Sequence, residues 1–236
     1  MNQTLNVDDA EIAKFDALAA RWWDMHGEFK PLHEINPLRA NWIDTHSPVA
    51  GASLIDVGCG GGILAESMAL RGATVTGIDM GEGPLSVAKL HRLESGVEVD
   101  YQRCTAEEMA AQRPESFDVV CCLEMLEHVP DPAAVVKACA DMARPGGNLY
   151  FSTINRNPKA FLFAIVGAEH ILRLLPAGTH EYEKFLRPSE LAQCIRDAGL
   201  QLERMTGLTY NPISKRYRLV SRDVSVNYMV HASKPA

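Results

Sequence analysis

The stretch Leu54-Ile55-Asp56-Val57-Gly58-Cys59-Gly60-Gly61-Gly62 constrains this chain more than any other part of it. An apolar run enters a glycine cluster, and a helical pattern over 63–71 follows at once. A glycine loop between a strand and a helix lets a ligand approach the backbone closely. Two details separate this loop from a dinucleotide fingerprint. The glycines stand as Gly58-x-Gly60-x-Gly62 rather than GxGxxG, and Asp56 lies two places before the first of them. A carboxylate there repels a pyrophosphate but suits a ligand carrying an ammonium group. Asp79 closes the next strand, where an acid accepts hydrogen bonds from ribose hydroxyls. Together the two acids predict a nucleoside with a cationic tail and no phosphates.

Around this loop the pattern alternates. Strands are expected at 53–57, 73–78, 97–102, 117–123 and 148–153. Helices are expected at 63–71, 84–95, 105–111 and 132–143, with Pro145-Gly146-Gly147 turning the chain into the fifth strand. Such alternation implies right-handed βαβ units and a parallel sheet. Before the loop, residues 8–26 have helical spacing, 27–37 read as a loop with two prolines, and a second helix opens at Pro37. After the fifth strand come a helix over 188–198 and strands near 200–209 and 223–231 that add antiparallel edges. The expected fold is α/β and Rossmann-like, a mostly parallel seven-stranded sheet with an antiparallel C-terminal edge. One domain, 1–236, divides into an N-terminal helical cap (1–50), a ligand-binding core (51–154), a helical insert (155–187) and a C-terminal helix with strands (188–236).

Composition narrows the setting. The 236 residues are 47% hydrophobic and 22% charged, ordinary globular values. A net charge of −7 argues against a general nucleic-acid binder. The six cysteines form no CxxC pair, so neither a zinc site nor a disulfide framework is signalled, and a reducing cytosol is the expected home. Cys121-Cys122 lies in an apolar run and reads as a pair of buried thiols. The polar, acidic start is no signal peptide, and no run of about 18 apolar residues exists to span a bilayer.

A nucleoside with a cationic tail describes S-adenosylmethionine. Residues 50–155 resemble the class I S-adenosylmethionine-dependent methyltransferases in the DVGCGGG loop, Asp79, the Cys104–Glu108 segment and Pro145-Gly146-Gly147. The resemblance implies that Gly58 and Gly60 abut the methionine part, Asp79 holds the ribose, and Thr105 and Ala106 lie beside the adenine. Many relatives carry Asp at that last site, where this chain has Thr-Ala-Glu. Further segments extend the likeness over 11–232. They include Arg21-Trp22-Trp23-Asp24, Ile35-Asn36-Pro37-Leu38-Arg39, Cys122–Val129, Ser152–Arg156 and Val226-Asn227-Tyr228-Met229. This set resembles the O-methyltransferases of ubiquinone biosynthesis. It implies methylation of a phenolic oxygen on a polyprenylated catechol (2-polyprenyl-6-hydroxyphenol) and on 3-demethylubiquinol, with Arg39 and Leu123 joining the cofactor site. A guanidinium suits the methionine carboxylate.

The sulfonium makes the methyl a good electrophile, so the protein's main task is to hold the nucleophile in line. A phenol with a pKa of about 10, by analogy with tyrosine, must still lose its proton. Glu124, Glu127 and His128 follow the fourth strand, at the edge where open α/β sheets bind ligands. If 124–128 turn helically, the three share one face. Two readings stand side by side. Two carboxylates and an imidazole can ligate Mg²⁺ or Zn²⁺, which would lower the phenol pKa. Alternatively His128 is the general base. His33, His170 and His180 read as surface or rim residues, and Trp22 and Trp23 as pocket lining or core.

Residues 155–187 are too long for a simple connection. Their apolar block, Ala160–Ala168, is too short to cross a bilayer and is bordered by cations such as Arg156, Lys159 and Arg173. It reads as a lid, as a helical pair covering a sheet edge, or as a membrane-interface segment over 157–178, the last motivated by a lipid-held substrate. A cytoplasmic protein, peripheral at the inner face of the membrane and able to join an assembly of quinone-pathway enzymes, is the corresponding expectation.

Overall fold

The computed structural model describes residues 5–161, 182–221 and 223–236. Two N-terminal helices, α1 (Asp9–Leu18) and α2 (Lys30–His46), precede the sheet. Then come β1 (Ser53–Val57), α3 (Ile63–Ala69), β2 (Thr74–Asp79), α4 (Glu82–Ser95), β3 (Val99–Arg103), α5 (Ala106–Gln112), β4 (Phe117–Leu123), α6 (Pro132–Met142) and β5 (Ala143–Ile154). A single turn, α7 (Pro158–Ala160), leads out of β5. The C-terminal part is α8 (Pro188–Asp197), β6 (Gln201–Asn211), β7 (Arg216–Val220) and β8 (Asn227–Ser233).

The sheet order is β3-β2-β1-β4-β5-β8-β6-β7. Strands β1 to β5 pair in parallel. β8 runs antiparallel to both β5 and β6, and β7 antiparallel to β6. Among the described residues the sheet therefore has eight strands rather than seven, and the last strand is inserted in the sheet rather than added at its edge. β7 escaped the sequence reading because Arg216-Tyr217-Arg218 alternates charge with an aromatic on an outer strand, a pattern that blunts an edge but carries little apolar signal.

The sheet is buried on both faces, as a parallel sheet requires. On one face Val120, Cys122 and Phe151 meet Met109, Val136, Cys139, Leu191 and Ile195 from α5, α6 and α8. On the other, Leu54, Cys121 and Tyr150 meet Ala40, Ile43, Leu64, Met68 and Leu85 from α2, α3 and α4. Cys121 and Cys122 point to opposite faces and are buried thiols, as their apolar run implied.

Three local expectations are corrected. The helix expected over 8–26 stops at Leu18 and tightens into a 3₁₀ turn, Ala19–Arg21. From Lys30 onward the expected loop 27–37 is instead the first half of α2, which does not open at Pro37 but runs through it; Pro31 sits in its first turn, where a missing N–H costs nothing. Pro145-Gly146-Gly147 does not precede β5 but bulges within it: pairing with β4 jumps from Phe117–Ala143 to Val119–Asn148. The bulge is tied to the C-terminal end by Gly146 N–H to Lys234 O (2.9 Å) and Lys234 N–H to Gly147 O (2.9 Å). No helix among the described residues is long and apolar enough to cross a membrane.

Gly62 caps α3 at φ +89°, and a Cβ there would lie 2.1 Å from the Tyr101 hydroxyl oxygen. The Gly62→Ala variant is expected to lose about 1–3 kcal/mol of stability, read as a lower urea midpoint.

Candidate active site

Strand order reverses between β1 and β4, and a crevice forms there beyond their carboxyl ends. A cavity of about 1000 Å³ fills it. All eleven sequence-predicted site residues line it: Arg39, Asp56, Gly58, Gly60, Asp79, Thr105, Ala106, Leu123, Glu124, Glu127 and His128.

One half of the cavity is the glycine loop and its acids. Gly58 and Gly60 have positive φ, and a Cβ on Gly58 would lie 2.5 Å from Met125 Cγ. A Cβ on Gly60 would lie 2.2 Å from the Trp22 ring. Trp22 in turn stacks on Phe29, with centroids 4.1 Å apart. Trp23 donates to Gly61 O (2.9 Å) and stacks on His91. The cap thus packs directly on the loop, with Trp22 lining the pocket. Asp79 accepts from Gly60 N–H (2.9 Å) and Gly81 N–H (2.7 Å). Asp56 is only 3% exposed, and burial, with the Asp79 charge second, pushes its carboxyl up to about 7. Thr105 and Glu108 form a capping box on α5, so the Thr105 hydroxyl already accepts from Glu108 N–H (3.2 Å).

The other half lies past β4. Glu124 takes φ +52°, which removes it from any helical turn; only Leu126–His128 form one. Glu124 therefore does not share a helix face with His128. Its carboxylate accepts from buried Arg39, from Ser152 Oγ (2.6 Å) and from Asn227 Nδ2 (2.8 Å). Glu127 is buried and accepts from Thr153 Oγ1 (2.8 Å), while its Oε1 finds no donor among the described residues. Burial, then the Glu124 charge, raises its pKa.

His128 Nδ1 lies 2.9 Å from Glu11 Oε2. Burial pulls the imidazole pKa down, but the bond to Glu11 and the carboxylates of Glu127 and Glu124 outweigh it, and the net shift is upward. Glu11 is only 4% exposed. The bond to His128 holds it well below the carboxylate range; burial opposes this, and Lys14 and Lys184 assist.

The expected metal trio has suitable donors but is not assembled. Glu124 is committed to Arg39, Ser152 and Asn227, Glu127 to Thr153, and His128 to Glu11. Among the described residues no three His, Cys, Asp or Glu side chains gather as a metal site. As arranged, these residues do not fit the ion. His33 bonds the Trp22 carbonyl (2.9 Å), whereas His170 and His180, with most of the insert, lie outside the described residues.

Glu11 is a site residue that the sequence does not single out, and Ser152 and Asn227 lie in segments quoted only for the resemblance, with no role assigned to them. Each sits in an ordinary helix or strand pattern, and the pairings cross over 117, 28 and 103 positions. Apolar side chains, among them Phe15, Phe29, Ile35, Tyr210 and Tyr217, line much of the remaining wall.

The family described as a methyltransferase domain matches residues 32–204. The ubiquinone biosynthesis O-methyltransferase of Saccharophagus degradans is 68% identical over 232 residues, 98% of each chain. The protein of that name from Pseudomonas syringae pv. tomato is 67% identical over 231 residues, 98% of this chain and 99% of the other. The chain belongs to the ubiquinone biosynthesis O-methyltransferase family. Solved structures agree on the fold of this methyltransferase. Magnesium protoporphyrin IX methyltransferase from Synechocystis, with bound SAH, superposes at a TM-score of 0.71 with 18% identity, covering 96% of this chain and all of the other.

Proposed function

We propose that this methyltransferase moves the methyl of S-adenosylmethionine to a phenolic oxygen of a polyprenylated catechol or quinol, 2-polyprenyl-6-hydroxyphenol and 3-demethylubiquinol. The observation that carries the reading is the single cavity, in which the glycine loop and its two acids open onto Glu127, His128 and an apolar wall. A nucleoside fits one half and a hydrophobic phenol the other. Arg39 receives the methionine carboxylate, Asp56 the ammonium, Gly58 and Gly60 the chain between them, and Asp79 the ribose. Leu123, Thr105 and Ala106 flank the adenosine, the last two through their backbone and, for Ala106, its methyl.

His128 takes the phenol's proton as the oxygen attacks the methyl carbon and the carbon–sulfur bond breaks. The products are the aryl methyl ether, S-adenosylhomocysteine and an imidazolium. Glu127 and Glu124, acids on the same wall, stabilise that imidazolium. The carboxylates past β4 are held by other partners, Glu124 by Arg39, Ser152 and Asn227 and Glu127 by Thr153, and the phenol's proton passes to the imidazole. The prenyl tail is held by lipid, and the apolar block 160–168 is the segment we assign to the membrane interface, with peripheral attachment and association with neighbouring pathway enzymes as corollaries.

Methyl-labelled S-adenosylmethionine with a short-chain prenyl catechol tests the reading. Labelled aryl ether in the organic phase is expected. Label transferred equally well to unprenylated catechol would remove the tail from the substrate definition, and no transfer to either would overturn the acceptor.

The Asp56 carboxyl adds a pH dependence. Only its ionised form attracts the ligand ammonium, so affinity follows its ionised fraction. With a pKa of about 7 for the unliganded protein, binding of S-adenosylhomocysteine is expected to tighten about fivefold from pH 6 to pH 7. Calorimetric titration reads this, and Asp56→Asn should bind weakly with the dependence flattened. For folding the sign is opposite. Between the usual carboxyl value of 3.8 and about 7 the folded state holds the extra proton, so this group's contribution to stability falls as pH rises through that window.

A further inference from the structure

We infer that Glu11 is a positioning residue for methyl transfer: its carboxylate, delivered by α1, accepts the Nδ1–H of His128 and so directs the ring's lone pair to Nε2. The inference rests on the reading of His128 as the base, and it extends the active site to the N-terminal helix.

Three observations carry it. The contact is short, 2.9 Å between Nδ1 and Oε2, and Glu11 is buried. A buried carboxylate that already faces two ammonium groups acts as the acceptor, so Nδ1 donates; the other tautomer would set a lone pair against a negative charge. Second, the carboxylate is itself fixed. Its other oxygen accepts from Lys14 Nζ (2.8 Å) and Lys184 Nζ (3.1 Å), and Lys184 also reaches Asp8 (3.1 Å), the N-cap of α1. Third, Phe15 lies one turn after Glu11 on the same helix and packs edge-on to the imidazole, with centroids 5.1 Å apart and planes at 87°. One face of α1 therefore supplies both an acceptor for the ring nitrogen and an edge contact for the ring plane. Among the described residues, the carboxylates facing His128 are Glu11 from α1 and Glu124 and Glu127 past β4. Of these, Glu11 is the one that bonds Nδ1. The arrangement has the logic of an acid–histidine pair in acyl transfer, in which a buried carboxylate orients the ring and sets its tautomer without taking the proton.

The test combines turnover, cofactor binding and nitrogen NMR on the full chain. At a pH above the raised His128 pKa, wild type is expected to show the neutral ring as one tautomer, protonated at Nδ1. Glu11→Ala should shift it toward the Nε2–H form and lower kcat for prenyl catechol to about one hundredth, while the Kd of S-adenosylhomocysteine stays within about twofold. Glu11→Asp, which keeps the charge, should recover part of kcat and the Nδ1–H signal. Retained cofactor affinity shows that the variants are folded. Wild-type kcat in Glu11→Ala would overturn the assignment. A low kcat with an unchanged tautomer would overturn it as well. If wild type binds the cofactor yet yields no aryl ether, the base reading itself fails and takes the inference with it.

Discussion

Replacing His128 with alanine is expected to lower kcat for methylation of prenyl catechol by about 10²–10⁴, the usual contribution of a positioned general base. Binding of S-adenosylhomocysteine should change by no more than about twofold, because none of the groups assigned to the cofactor touches the imidazole. The phenol's proton needs an acceptor near neutral pH, and the cavity wall past β4 offers an imidazole flanked by Glu11, Glu124 and Glu127. Those carboxylates stabilise the imidazolium that the transfer creates. Exogenous imidazole should restore part of the lost rate, since the cavity left by the ring adjoins open pocket. A loss confined to KM would instead make His128 a binding residue.

The second large effect is on stability. Arg39 and Glu124 form an ion pair across the crevice, Arg39 being only 5% exposed. Removing one partner of a buried pair strands the other charge, at a cost of about 3–5 kcal/mol. Ser152 and Asn227 would still donate to Glu124, which sets the expectation for Arg39→Ala at the low end, about 3 kcal/mol. The reciprocal Glu124→Ala strands the guanidinium, whose Nε is already buried without an acceptor among the described residues. The double variant should cost less than the sum of the singles, the sign of a direct coupling. Chemical denaturation of the four proteins measures it. Arg39→Ala should also weaken cofactor binding, whereas Glu124→Gln, which keeps a neutral acceptor beside Arg39, should weaken it less.

These two expectations divide the Glu124, Glu127 and His128 group that the sequence presents as one. On paper the three are neighbours at helical spacing. In the structure the left-handed backbone at Glu124 turns its carboxylate toward Arg39, Ser152 and Asn227, while His128 turns toward Glu11. A single φ angle decided this, and periodicity cannot report one residue leaving a helix. By contrast the gathering of the glycine loop, Asp56 and Asp79 along one cavity was legible, because the requirements there are local. A glycine loop, an acid two places before it and an acid at the end of the next strand are fixed by the strand–loop–helix unit itself. Glu11 was hidden for the opposite reason: its role depends on α1 folding back over the crevice, a long-range packing event. The same holds for α2, whose prolines read as a loop until its buried face against the sheet is counted.

In the proposed transfer, one cavity sets a phenolic oxygen between the cofactor methyl and His128. A crystal structure of the protein with S-adenosylhomocysteine and a short-chain prenyl catechol, grown once with Mg²⁺ and once with EDTA, tests it most directly. The same pose is expected in both, the ring against the apolar wall and the reacting oxygen within about 3 Å of His128 Nε2. A catechol held instead by an ion on Glu124, Glu127 and His128, and lost from the EDTA crystals, would contradict it.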